Sequence, residues 1–244
     1  MRHWGYLLLW PVFVISHLLL SFLLAWHLLA QVSFGYGLAY TFLDIQQHIE
    51  TYGADNRYKQ GFGQTSTEEH KALFAAITES VQNSGQGLRD IKYERPDGSP
   101  SRLLREPEVV HLEDVALLVD AFYWAGAGAG ALGALVGWIA YRQRLRPPRP
   151  SRVLTALALV LACGGAILAL LGPVEVFYGL HDLVFPPEHE WFFYYEDSLM
   201  STMMIAPYLF GVIGAFWLLA GGMIWGVAGW ALLRFYSCRR SPES

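Results

Sequence analysis

The stretch Leu180–Phe210, LHDLVFPPEHEWFFYYEDSLMSTMMIAPYLF, decides how the rest of the chain is interpreted. It brings two histidines, several carboxylates and an aromatic cluster into one short segment between two long apolar runs. Apolar runs of that length place the ends of such a segment at a membrane surface. The stretch therefore predicts chemistry at the boundary between lipid and water.

The composition indicates a membrane protein before any single motif is considered. The chain has 244 residues, of which 54% are hydrophobic and 16% are charged. Its mean hydropathy is +0.30. Soluble proteins carry about 25% charged residues, so the shortage of charge points to a bilayer. The two cysteines, Cys163 and Cys238, form no metal-binding or redox pattern, and we expect neither a disulfide nor a zinc site.

Four apolar runs reach the length of about 20 residues that a membrane-spanning helix needs. These runs are Leu7–Leu29, Val115–Tyr141, Val153–Leu171 and Tyr208–Leu233. The first is too long for the apolar core of a signal peptide and has no clear cleavage site, so we expect it to be retained. The sequence predicts an all-α membrane protein with four transmembrane helices and a small α(+β) extracytoplasmic cap.

The orientation of the chain in the membrane follows from its arginines. Residues 142–152 carry five arginines and no acidic residue, and further arginines follow the last run at Arg234, Arg239 and Arg240. Short basic segments stay on the cytoplasmic side, so both termini are expected there. Arginines in this position are a topology signal on anionic lipid, and we expect no nucleic-acid partner.

This orientation divides the chain into eight segments, which alternate between the membrane and its two sides. The predicted order is transmembrane helix 1 at 1–30, the cap at 31–112, transmembrane helix 2 at 113–141, a cytoplasmic arginine-rich loop at 142–152, transmembrane helix 3 at 153–172, an extracytoplasmic histidine-rich and aromatic loop at 173–206, transmembrane helix 4 at 207–234 and a cytoplasmic tail at 235–244.

The cap is predicted to contain two helices and a hairpin. Apolar residues at 42, 45 and 49 have helical spacing, and Gly53 can end that helix. The stretch Thr65–Glu69 resembles a capping box and begins a second helix, which Gly85 can end. The apolar face of this second helix consists of Leu73, Phe74, Ile77 and Val81. Residues 89–93 and 101–105 flank Pro96-Asp97-Gly98 as a hairpin would.

Small and polar residues inside the apolar runs indicate contacts between helices. The second run contains glycines at 126, 130, 133 and 137, and this spacing lets two helix backbones approach closely. Packing within the same bundle is favoured, and homodimerisation stays open. His17 and His27 lie within the first run, where a polar residue is either functional or hydrogen-bonded across helices.

Two histidines lie where acyl-transfer chemistry would need them. Acyl transfer requires a base for the attacking group, an acid for the leaving oxygen and donors for the oxyanion. His111 and His181 lie at the outer ends of the second and third runs, and imidazole serves these roles near neutral pH. Asp114 is three residues after His111, so on a helix its carboxylate could orient that ring.

Other chemistries find weaker support in the same segment. No metal-binding spacing or nucleophile elbow is present, and the phosphate, dinucleotide and haem motifs are absent, so no cofactor is expected. A metal site built from histidine and glutamate nevertheless stays open as an alternative. Its candidate ligands are His181, His189, Glu188 and Glu190.

The two polar segments together resemble a known family. The family pattern E-x-x-H-M-x-D-V is matched by Glu108-Val109-Val110-His111-Leu112-Glu113-Asp114-Val115, except that Leu112 stands in place of the Met. A later pattern of His, Phe, Trp, an Asp-containing turn and Pro is matched by His181, Phe185, Trp191, Asp197-Ser198-Leu199 and Pro207. On these residues the chain resembles the DUF1461 family of integral membrane proteins, which includes lipoprotein intramolecular transacylases.

The resemblance implies an O-to-N acyltransferase of the bacterial cytoplasmic membrane with extracytoplasmic active loops. Its substrate would be a diacylglyceryl lipoprotein within membrane lipid, and an acyl chain would move from the sn-2 ester to the amine of the N-terminal cysteine. The implied catalytic residues are His111 and His181. The residues expected to support the rings or bind substrate are Glu108, Asp114, Trp191 and Asp197, together with His189 from the same polar segment. A non-catalytic subunit that binds a membrane-protein partner through its cap remains the alternative.

Overall fold

The computed structural model describes residues 2–59 and 61–238, with side chains for 8–59 and 61–236. Within these residues the chain forms nine α-helices and one two-stranded sheet. The helices are α1 (Arg2–Ala30), α2 (Tyr36–Phe42), α3 (Ile45–Tyr52), α4 (Thr67–Gln82), α5 (Glu106–Arg142), α6 (Pro150–Leu171), α7 (Pro173–Val184), α8 (Leu199–Met204) and α9 (Tyr208–Cys238). The strands are β1 (Lys92–Glu94) and β2 (Pro100–Arg102), and short 3₁₀ turns lie at Ser33–Gly35, Gly53–Asp55, Phe62–Gln64 and Leu88–Asp90.

The predicted fold class is confirmed by four helices that are long and apolar enough to cross a membrane, namely α1, α5, α6 and α9. The second of these is longer than expected. α5 has 37 residues and so extends about 55 Å, against about 30 Å for a hydrocarbon core. Residues 106–112, which we assigned to the cap, form its first two turns. Arg239 and Arg240 of the predicted cytoplasmic tail lie outside the described residues.

The segment predicted as a loop at 173–206 contains helices. Gly172 has a φ of +89° and ends α6, and Pro173 then begins α7 at a position where its missing N–H costs little. His181 therefore lies on a separate helix and not at the end of the third spanning helix. Residues 185–198 are irregular and lead into the short helix α8.

The glycines of α5 pack against α1 in the same chain. A Cβ atom at Gly126 would lie 2.3 Å from Leu23, and one at Gly133 would lie 3.0 Å from the Cβ atom of Ser16. Gly130 and Gly137 face Leu20 and Phe13 of α1 in the same way. The close approach that the glycine spacing predicted is therefore made within the bundle.

A leucine on this stripe should separate the two helices. Ser16 Cβ is fixed by its backbone, so Gly133→Leu is expected to cost about 1–3 kcal/mol through overpacking. Gly128 has no heavy atom within 4 Å of an added Cβ, and Gly128→Leu provides the matched control. Thermal unfolding in detergent measures both variants. Equal losses of thermal stability in the two variants would contradict the close packing of α5 on α1.

The polar residues of α1 are used inside the bundle. His27 Nδ1 lies 3.0 Å from the hydroxyl of Tyr123 on α5, and that hydroxyl donates to Gln82 of α4. This network favours the structural interpretation of His27. His17 stacks between Phe13 and Trp225, with ring centroids 6.3 and 6.1 Å away, and so joins α1 to α9.

The cap matches its predicted elements with one exception. Ser66 caps α4 by accepting the Glu69 backbone N–H, and the predicted apolar face of α4 is buried. β1 and β2 form the predicted antiparallel hairpin. The first predicted helix is instead two helices, α2 and α3, because the chain turns at Asp44, whose φ is +49°. Phe42 consequently lies exposed.

Candidate active site

The structure brings the two candidate catalytic histidines together. His111 lies in the second turn of α5, and His181 lies in the last turn of α7. Their ring centroids are 6.3 Å apart, and the ring planes are inclined by 29°. Residues 70 positions apart in the sequence thus face one another at the end of the bundle that carries the cap.

Aromatic side chains surround the imidazole pair. The ring of Phe185 lies 4.9 Å from that of His111 and 5.3 Å from that of His181. Trp191 lies 4.7 Å from His181, and Phe193 lies 6.1 Å from His111. An environment of low dielectric strengthens each hydrogen bond made inside it. Trp191 therefore has a position from which it can shape the site.

The orientation of His181 is fixed by its own helix. Its Nδ1 lies 2.8 Å from the backbone carbonyl oxygen of Phe177. A carbonyl oxygen only accepts hydrogen bonds, so Nδ1 carries a proton. In the neutral ring the lone pair then resides on Nε2, which is the tautomer that a general base needs.

His111 is held by packing and not by a hydrogen bond. Its Nδ1 is buried and has no hydrogen-bond partner among the described residues. The ring is instead enclosed by Phe185, Phe193 and the second imidazole. Nδ1 of His111 is therefore a buried polar atom that no group of the described residues satisfies.

Asp114 pairs with a different histidine from the one expected. Its Oδ2 lies 2.6 Å from Nδ1 of His189, whereas no hydrogen bond joins it to His111 among the described residues. The segment Pro186–Glu190 turns back on itself, since the backbone N–H of His189 donates to Pro186 O. This turn places the imidazole of His189 over α5. The side chain of Asp114 is 15% exposed and that of His189 is 35% exposed.

Glu108 stabilises the frame of the site through hydrogen bonds to other parts of the chain. Its carboxylate is fully buried and accepts the backbone N–H of Arg105 at 2.6 Å, which caps the start of α5. The hydroxyl of Ser198 also donates to it, and Ser198 in turn caps α8. Glu108 therefore joins α5 to α8, and the Ser198 hydroxyl is used in this contact.

Asp197 anchors the irregular segment to the cap. Its carboxylate lies 3.4 Å from Nε of Arg57, whose guanidinium also reaches Glu196 at 3.2 Å. Asn56 Nδ2 donates to the backbone carbonyl of Tyr195 at 3.2 Å. Arg57 and Asn56 were not identified from the sequence. The sequence feature that could have indicated Arg57 is the acidic character of 173–206. This segment contains six acidic residues and no lysine or arginine, so a basic partner would have to come from another segment.

The metal alternative gains no support from the described residues. Within them, no group of three or more histidine, cysteine, aspartate or glutamate side chains is placed to hold an ion. His189 directs its Nδ1 at Asp114, and His181 directs its Nδ1 at a backbone carbonyl.

The fold and the site define an integral membrane protein with a candidate active site at one end of its helix bundle. Its fold is similar to that of the membrane-integral lipoprotein intramolecular transacylase Lit from Bacillus cereus. A histidine-to-arginine variant of that protein gives a TM-score of 0.66 at 14% identity, covering 97% of this chain and 94% of the other. A histidine-to-alanine variant gives 0.64 at 16% identity, with 97% and 96% covered. A third structure gives 0.61 at 16% identity, with 97% and 100% covered.

The likeness covers nearly the whole of both chains and shows the fold. No protein-family model matches the sequence, and no curated protein matches it.

Proposed function

We propose that this chain is an O-to-N acyltransferase of the lipoprotein transacylase type. It moves an acyl chain from the sn-2 ester of a lipoprotein diacylglyceryl group to the amine of the N-terminal cysteine. The observation that carries the proposal is the pair of imidazoles, His111 and His181, 6.3 Å apart at one end of a transacylase-like bundle.

We assign His181 as the general base. Its Nε2 takes a proton from the attacking amine, and its Nδ1 stays bonded to Phe177 O. The amine nitrogen forms a bond to the ester carbonyl carbon, and the negative charge develops on the carbonyl oxygen. His111 donates a hydrogen bond to that oxyanion. The C–O bond to the glyceryl group then breaks, and the leaving oxygen receives the proton from His181.

The position of the site suits a reaction within one molecule. The ester and the amine belong to the same lipoprotein, so proximity is supplied by the substrate, and the protein's task is activation. The acyl chains lie in hydrocarbon while the amine lies at its surface, and the histidine pair lies just before the apolar part of α5. Trp191 and Phe185 form the wall against which the acyl chain would lie.

The orientation in the membrane is part of the proposal. The five arginines of 142–152 are exposed and lie at the end of α5 opposite His111. By the positive-inside rule this end faces the cytoplasm. The cap and the candidate site then lie on the outer face of a bacterial cytoplasmic membrane.

The test is mass spectrometry of lipoprotein N-termini from host cells whose lipoproteins carry a diacylglyceryl group and a free amine. Expression of the wild-type chain should yield N-acylated lyso-form N-termini, and a double variant His111→Ala/His181→Ala serves as the negative control. Unchanged N-termini together with a stoichiometric complex after mild solubilisation would favour the scaffold alternative and refute the enzyme.

A further inference from the structure

The arginine-rich end of the bundle contains a cavity that the proposed reaction does not use. It has a volume of about 390 Å³ and lies between α1, α9 and the chain that enters α6. Its wall is mainly apolar and includes the aromatic side chains of Trp10, Phe13, Trp225, Trp230 and Tyr236. This volume is within the range of small-molecule sites. Phe13 of the cavity faces Gly137 of α5, and His111 lies about 39 Å from Gly137 along that helix, so the cavity belongs to the other membrane surface.

The rim of this cavity is strongly basic. Pro147, Pro148 and Pro150 line the cavity, and Arg146 and Arg149 flank them in the sequence. All five arginines of 142–152 are exposed. Among the described residues, none of the five forms an ion pair with an acidic side chain. An anion that approaches this end therefore meets positive charge that the protein does not neutralise.

The inner wall of the cavity contains polar atoms that the protein leaves unpaired. His17 Nε2 and Trp225 Nε1 are buried and have no hydrogen-bond partner among the described residues. Buried polar atoms in native proteins are nearly always paired with protein, water or a bound molecule. Both residues line the cavity, but these two atoms are themselves inaccessible, so His17 and Trp225 contribute ring surface to its wall.

We propose that this cavity binds an anionic glycerophospholipid. One acyl chain lies among the aromatic side chains, and the phosphate lies on the arginines of 142–152. The apolar wall supplies the contact area for the chain, and the planar guanidinium groups suit phosphate oxygens. A zwitterionic lipid gains less at the rim, because its headgroup carries no net negative charge. The inference stands independently of the proposed transacylase activity.

Quenching of tryptophan fluorescence tests the proposal directly, since Trp10, Trp225 and Trp230 line the cavity. The purified full chain in detergent is titrated with phosphatidylglycerol or phosphatidylcholine brominated on the acyl chain. Saturable quenching is expected at lower concentration for phosphatidylglycerol. Equal titration curves for the two lipids would overturn the role of the arginines.

Charge variants identify the rim. Arg146→Gln/Arg149→Gln should weaken the phosphatidylglycerol titration by about fivefold per arginine removed. Lys92→Gln/Arg102→Gln, on the exposed cap hairpin, removes the same charge elsewhere and should change nothing. A weakening of the same size in both double variants would indicate general attraction and exclude a site at this rim.

A cavity-filling variant identifies the chain-binding part. A Cβ atom at Gly226 meets no heavy atom within 4 Å, and Gly226 lines the cavity. Gly226→Leu should therefore abolish saturable quenching by phosphatidylglycerol. Gly222, one turn earlier on α9, is equally open but does not line the cavity, and Gly222→Leu is the control. Unchanged quenching in folded Gly226→Leu would refute the proposal. The exposed rim variants decide the matter if Gly226→Leu does not fold.

Discussion

His181→Ala is expected to abolish acyl transfer, with a loss of about 10²–10⁴-fold, because the amine loses the base that takes its proton. A reconstituted assay with a synthetic diacylglyceryl lipopeptide measures the N-acylated product. His48→Ala is the matched control, since His48 lies on α3 of the cap, where its ring contacts Tyr52. Wild-type turnover in His181→Ala would remove the proposed mechanism.

Glutamine variants separate the roles of the two histidines. His111→Ala is expected to reduce transfer by about 10²–10³-fold, the usual cost of losing an oxyanion donor. His111→Gln retains a neutral N–H donor and should recover about tenfold over alanine. His181→Gln cannot take the amine proton and should remain as inactive as His181→Ala. Recovery in His181→Gln alone would reverse the assignment.

The second large effect is expected at Asp114 and His189. Asp114→Asn removes the charge that holds Nδ1–H of His189, and His189→Gln removes the ring. Each should lower transfer by about 10–100-fold, a typical cost for a residue that positions its neighbours. The double variant should transfer acyl groups as fast as the less active of the two single variants, because the two side chains act as one unit. The same lipopeptide assay measures all three.

A neighbouring carboxylate provides the control for this pair. Glu113 precedes Asp114, but its carboxylate is bonded to Arg89. Glu113→Gln should leave transfer nearly unchanged. Losses that multiply in the Asp114/His189 double variant would mean that the two residues act separately. A comparison of the pH dependence of transfer between His189→Gln and the wild-type chain would then show whether the imidazole of His189 takes part in proton transfer.

The membrane architecture could be predicted from the sequence because the bilayer imposes a simple rule. Every backbone polar group in hydrocarbon must be bonded within its own helix, so an apolar run of about 20 residues has one available structure. The close contact of α5 with another helix could also be predicted, since glycines at helical spacing allow two helix backbones to approach closely. The capping residue Ser66 fixed the start of α4 through a bond to Glu69, three residues away.

The sequence by itself also selected the candidate residues of the site, His111 and His181, as polar groups near the outer ends of apolar runs. Only the tertiary structure decided their partners. Asp114 could reach His111 on its own helix, yet it bonds to His189, which is 75 residues away. Glu108 likewise caps α5 and bonds to Ser198, which is 90 residues away in the sequence. Such pairings depend on helix tilt and on how residues 185–198 fold back, and neither is encoded in local spacing.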